Sequence, residues 1–154
     1  VGPCIGGRLG ANPLGDTGTS GLAARWPDLG DCELAVMWVR LALLSLALAI
    51  GLGAFGAHGL TNLVSESRLE TWETAVRYQV WMSLALLCLS AGRVSAIPGA
   101  LWTMAFGMLI FSGSLYALVA LDLGILGAIT PIGGLLMIGG LVWAALGYRT
   151  DPPS

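Results

Sequence analysis

Four long apolar runs, each close to the length that crosses a bilayer, divide this chain, and its few charged residues fall between them rather than within them. At 1.5 Å rise per residue, about 20 apolar residues cover the ~30 Å hydrocarbon layer. The expected fold is therefore all-α, an integral membrane bundle of four transmembrane helices with the lipid bilayer as its surroundings. Composition agrees: 56% of the residues are hydrophobic and only 10% are charged, against about 25% charged in an ordinary soluble domain. Every basic residue is Arg and the formal net charge is -2, so no basic patch exists for a phosphate backbone and nucleic acid is excluded as a partner. Cys4, Cys32 and Cys88 are an odd number without metal-ligand spacing. Neither a disulfide framework nor a metal site is expected, and no cofactor.

Residues 1–36 differ from the rest. They are rich in Gly, with Pro3, Pro13 and Pro27, and have no apolar periodicity, so this leader is expected to be disordered. Met37 is followed at once by Trp38, Val39 and Arg40 and a long apolar run. Translation starting at or near Met37 is the leading expectation, with a true flexible tail as the alternative. The transmembrane domain is then 37–149, followed by a short tail, 150–154.

The spans are read as about 38–57, 74–92, 98–121 and 130–148. Ser67 with Glu70 reads as a capping box opening the second helix, which lies partly in the interface before crossing through Val80 to Ala91. Pro98 suits the first turn of the third, and Asp122 and Gly124 close it. Thr130 fits an N-cap with Pro131 at the first helical position of the fourth. Arg40, Arg93 and Arg149 fall on one side, against Arg68 and Arg77 on the other. Cytoplasmic loops keep basic residues, so both termini are expected to face the cytoplasm of a multi-pass protein in the plasma (bacterial inner) membrane. A rival reading makes Leu41 to Leu52 and Ala54-Phe55-Gly56 a cleaved signal peptide.

Small residues mark where helices approach. Ser45, Ala49, Gly53 and Ala57 recur every four residues along the first span, a face on which a neighbouring backbone can come close. Gly99, Thr103 and Gly107 in the third span and Gly140 and Ala144 in the fourth repeat the pattern.

Polar groups at membrane depth are expensive and are the default candidates for function. His58, Glu73, Arg77, Tyr78 and Gln79 are expected as one polar cluster at the outer boundary, with Glu73 and Arg77 placed four apart for an ion pair. Its functional reading is a proton or ligand site; its structural reading is an anchor for the second helix at headgroup level. Ser112, Ser114 and Tyr116 put hydroxyls inside the third span, either to bind a ligand or, as hydroxyls in spans commonly do, to bond a carbonyl or a neighbouring helix. Thr130 and Pro131, followed by Gly133 and Gly134, read as a helix start with close backbone packing. No nucleophile with a base and no paired buried carboxylates are recognisable, so an enzyme is not expected.

Four motifs in order, GAFGAHGL at 53–60, WETAVRYQ at 72–79, FSGSLY at 111–116 and LGAITPIGG at 126–134, resemble the YgdD-like small inner-membrane proteins. That family is classified as a domain of unknown function, with mitochondrial and other eukaryotic relatives. The resemblance covers Met37 to Tyr148 and implies a multispan plasma-membrane protein with no established reaction. Many relatives carry a His shortly after the Tyr-Gln pair, where this chain has Met82, which puts any two-histidine relay in doubt.

Two functional classes follow. The first is a non-enzymatic component that packs against itself, as a homo-oligomer, or against a membrane protein partner. The second is a small oligomeric transporter or channel with His58, Glu73 and Arg77 at its mouth and Ser112 and Tyr116 along its path. Against the second, no ionisable residue is expected near the centre of a span.

Overall fold

In the computed structural model, residues 29–91 and 98–147 are described, with side chains from residue 33 onward. The described residues form four helices and no strand: α1 (Leu29–Phe55), α2 (Glu66–Ala91), α3 (Pro98–Leu121) and α4 (Thr130–Gly147). A π-helical turn, Gly56–Leu60, extends α1, and a 3₁₀ segment, Gly124–Ala128, leads into α4. Three helical stretches, Glu33–Leu60, Pro98–Leu121 and Gly124–Gly147, are long and apolar enough to cross a membrane. α2, at 26 residues, has the length, ~39 Å, but carries charges through its first three turns.

The helices follow chain order in their packing: α2 lies between α1 and α3, and α4 packs on α3. The core sits where the first three meet, around Trp38, Met82, Leu86, Met104 and Met108. A second cluster of Leu60, Trp72 and Val119 closes the end that carries the α1–α2 and α3–α4 connections. The α3–α4 contact is made by glycine. A Cβ on Gly133 would stand 2.5 Å from Phe111 N, and one on Gly107 2.7 Å from Met137 N, so the two backbones touch where the side chains end. Such close approach is how helices adhere in lipid, where no hydrophobic force drives them together.

Several expectations need correction. Residues 29–36, read as disordered leader, are helical; Leu34 and Met37 pack against the core and draw the helix back beyond Trp38. Residues 1–28, the tail 150–154, Arg93, Arg149 and the last residues of the second and fourth spans lie outside the described residues. α2 runs unbroken from Glu66 to Ala91, and Trp72 and Ala75 in its polar half are buried between the neighbouring helices. Its N-cap is Ser65, whose carbonyl accepts from Arg68 N and Leu69 N, both at 3.0 Å, not Ser67. Thr130 does not cap α4 either. Its hydroxyl is 3.4 Å from Leu126 O and 2.9 Å from the Ser114 hydroxyl, and Ile129, the residue before it, already supplies its carbonyl to Ile132 N at 3.1 Å.

The small-residue stripe is used over three members, not four. Ala49 is fully buried and a Cβ on Gly53 would sit 3.3 Å from Val76 Cγ1, but Ala57 is exposed. Positions four apart drift by about 40° per step around a helix of 3.6 residues per turn, so the fourth member leaves the face. Gly56 takes its place against Trp72.

Candidate functional site

Ser45 is the sole polar residue in the apolar body of α1, and it faces the polar residues of α2 rather than lipid. Gln79 Nε2 donates to Ser45 O at 3.1 Å and approaches Ser45 Oγ at 3.4 Å. The Ser83 and Ser45 hydroxyls are 2.8 Å apart, and Ser83 Oγ donates to Gln79 O, one turn back, at 2.7 Å. From α3, Tyr116 Oη donates to Gln79 Oε1 at 2.8 Å, and Ser112 Oγ donates to Ala75 O at 3.0 Å. Met108 Sδ lies 3.7 Å from Ser83 Oγ, a weak acceptor filling the apolar side. Gln79, Ser83 and Ser112 are all buried.

Three helices thus meet on one hydrogen-bonded network whose centre is an amide. Gln79 uses both ends of that amide, oxygen toward α3 and nitrogen toward α1, which an Asn, one methylene shorter, could not reach. The network contains no carboxylate and no cation. Beside it, a cleft of about 130 Å³ opens between Leu48 and Leu52 of α1 and Leu109 and Gly113 of α3, with Gln79, Ser112 and Tyr116 in its lining. Nearer the connections, Trp72 Nε1 donates to Leu52 O at 2.9 Å and its ring packs on Tyr116 at 4.7 Å between centroids.

The expected cluster of His58, Glu73, Arg77, Tyr78 and Gln79 divides. Gln79 points inward to the network. Tyr78 packs on Phe111 and Trp81, with centroids 4.7 and 5.1 Å apart. His58, Glu73 and Arg77 are exposed, and Glu73 and Arg77 form no ion pair among the described residues. They share a sequence neighbourhood but not a direction, because successive helical positions turn by 100°. Of the α3 hydroxyls, Ser112 and Tyr116 face α2, whereas Ser114 bonds Phe111 O at 2.9 Å and meets Thr130.

Ala75 lies opposite Ser112, ~14 Å short of the end of α3 at 1.5 Å per residue, and Arg77 is two residues further along α2. In a helix of 24 residues, ~36 Å long, that sets the Arg77 backbone level with the middle of α3.

Among the described residues an ion pair forms elsewhere. Arg68 reaches Asp122 and ties the start of α2 to the end of α3. Asp122 has φ 59°, the left-handed position that follows many helix ends. The sequence clue was the pairing of a lone acid after α3 with a basic residue in the first turn of α2. Ser83 lies four residues after Gln79, on the same face of α2, and that spacing is its signal in the sequence.

A family model described as "Protein of unknown function (DUF423)" matches residues 52–134. The chain belongs to the DUF423 family. Its relatives carry the description UPF0382 membrane protein. One from Staphylococcus saprophyticus is 42% identical over 114 residues, covering 72% of this chain and 95% of the relative. Another, from Staphylococcus epidermidis, is 43% identical over 117 residues, covering 74% and 94%. The UPF0382 membrane protein YwdK of Bacillus subtilis is 41% identical over 107 residues, covering 66% and 87%. No solved structure matches. The DUF423 match contains Trp72, Gln79, Ser83, Ser112 and Tyr116, and Gly107 and Gly133 of the α3–α4 contact, and begins after Ser45. This member is a membrane protein whose described residues form four helices.

Proposed function

We propose that this DUF423 protein is a non-enzymatic, multi-pass component of the plasma membrane whose role is assembly, with itself or with another membrane protein. The observation that carries the reading is the saturation of the polar network. Ser45, Gln79, Ser112 and Tyr116 spend their hydrogen bonds on neighbouring helices, and Ser83 bonds both Ser45 and its own helix, which is a use of polar groups to hold helices in register rather than to meet a substrate. His58, Glu73 and Arg77 do not converge on a pore mouth, since each is exposed on an outer surface. The motifs shared with YgdD-like inner-membrane proteins support the plasma-membrane assignment, and the Arg distribution supports cytoplasmic termini.

Two measurements test this. Reporter fusions after Arg93, after Asp122 and at the C-terminus should place the first and last in the cytoplasm and the second outside; the inverted pattern overturns the orientation. Purified protein in liposomes should leave proton, sodium, potassium and chloride permeability at the level of empty vesicles. A flux that disappears in Gln79→Leu while insertion is normal would favour a small transporter or channel instead.

A further inference from the structure

α1 and α3 both pack on α2 and touch each other over part of their length. Trp38 meets Trp102 with ring centroids 4.9 Å apart, and two turns further along Ser45 Oγ lies 3.8 Å from Met108 Sδ. Just beyond that contact opens the cleft of about 130 Å³, between Leu48 on α1 and Leu109 and Gly113 on α3. Glycine makes the room. A Cβ on Gly113 would meet nothing within 4 Å, so no neighbouring backbone requires this residue, and glycine is a poor helix former. Leu48 and Leu109 at the mouth are 57% and 62% exposed, so the cleft opens sideways, toward lipid tails.

Gln79, Ser112 and Tyr116 also line the cleft, and their hydrogens are committed elsewhere. Tyr116 Oη donates to Gln79 Oε1, Ser112 Oγ donates to Ala75 O, and Gln79 Nε2 serves both oxygens of Ser45. Those bonds hold the helices together and leave only oxygen lone pairs over, on Tyr116 Oη, Ser112 Oγ and Gln79 Oε1. A guest must therefore bring the hydrogen. The space equals about four waters at ~30 Å³ each, yet a water needs two to four polar partners, and away from these oxygens the walls are leucine, methionine and glycine. A plain hydrocarbon tail suits the leucines and leaves the lone pairs unused. An apolar body carrying one hydroxyl meets both, and an apolar cavity of about 150 Å³ is known to accept a benzene ring. Apolar walls with a few placed polar groups are the usual make-up of a small-molecule site.

We infer that this cleft is a binding site for a membrane-dissolved alcohol, whose slim apolar chain or ring lies between the leucines while its hydroxyl donates to one of the oxygens that Gln79, Ser112 and Tyr116 leave free. The open mouth lets the remainder of a longer chain stay in the bilayer. Such a guest is compatible with the assembly role proposed above and independent of it.

The experiment is photolabelling of the full chain in nanodiscs with a diazirine-bearing octanol and, separately, with its methyl ether, the adducts being located by peptide mass spectrometry. The alcohol should label residues 48–52 and 108–116 at least several-fold more than the lipid-facing Leu135, Ile138 and Val142 of α4. The ether has the same chain and no donor, and should label the two regions about equally. Gly113→Leu fills the cleft from α3 and Leu48→Trp closes its mouth from α1. Each should abolish the excess, and circular dichroism and melting temperature identify whichever variant keeps the fold. Alcohol adducts spread evenly over the cleft and α4 overturn the site. An ether that concentrates in the cleft as strongly as the alcohol overturns the hydroxyl recognition. An excess that survives in a folded blocking variant overturns the location.

Discussion

Tyr116 donates its phenolic proton to Gln79 Oε1 at 2.8 Å across the α2–α3 contact, while the same amide donates to α1 through its nitrogen. Tyr116→Phe leaves the amide oxygen without this donor and is expected to cost about 1 kcal/mol. Gln79→Leu leaves the Tyr116 hydroxyl without its acceptor and should cost about 1–3 kcal/mol. The double variant should cost less than the sum, by roughly 0.5–1.5 kcal/mol. Denaturant or thermal unfolding in detergent micelles measures the cycle. Strict additivity would show that the two groups do not share a bond in the folded protein.

Gly133 and Gly139 differ by less than two turns of α4 and should respond oppositely to the same change. A Cβ on Gly133 meets backbone atoms of Phe111, which cannot rotate away, whereas one on Gly139 meets nothing within 4 Å. Gly133→Ala should therefore destabilise by about 1–3 kcal/mol as α4 is pushed off α3. Gly139→Ala should be neutral or stabilising by up to about 1 kcal/mol through helix propensity. Equal melting temperatures for the two variants would contradict the backbone contact.

Gly56 is required by one particular neighbour. A Cβ there would lie 2.7 Å from Trp72 Cδ1 and 2.9 Å from Nε1, displacing the indole from Leu52 O. Gly56→Ala is expected to destabilise by about 1–2 kcal/mol in the natural sequence. In a Trp72→Leu background the same change should cost far less, because the obstacle is gone. An undiminished cost there would place the strain in the π-helical turn instead.

Asp122 combines a left-handed backbone with a salt link to Arg68, and substitutions separate the two roles. Both side chains are partly solvated, at 32% and 76% exposure for Arg68 and Asp122, so Arg68→Gln should cost no more than about 1 kcal/mol. Asp122→Gly loses the link but relaxes the backbone, and is expected within about 1 kcal/mol of the natural protein. Asp122→Val should be the worst of the three, because a β-branched residue adds about 1–2 kcal/mol of strain at positive φ. Thermal unfolding of the three variants checks the order.

Apolar run length and charge placement determined that this chain is helical and membrane-embedded, because span length and the energetic cost of charge in lipid are local properties of a sequence. Helix ends marked by Pro98 and Leu121 were legible for the same reason. The glycines at 107, 133 and 140 could be read as sites of close approach, though not which pairs would touch. Tertiary structure alone decided which polar residues belong together. Gln79 left its sequence neighbours Glu73 and Arg77 because a turn of 100° per residue sends them to opposite faces of α2, and it joined Ser45, Ser83 and Tyr116 on three different helices. The Arg68–Asp122 link and the level of Arg77 along α3 depend likewise on how α2 is set against α3. That setting is fixed by bonds such as Ser112 to the Ala75 carbonyl, between residues far apart in the chain, and no local pattern encodes it.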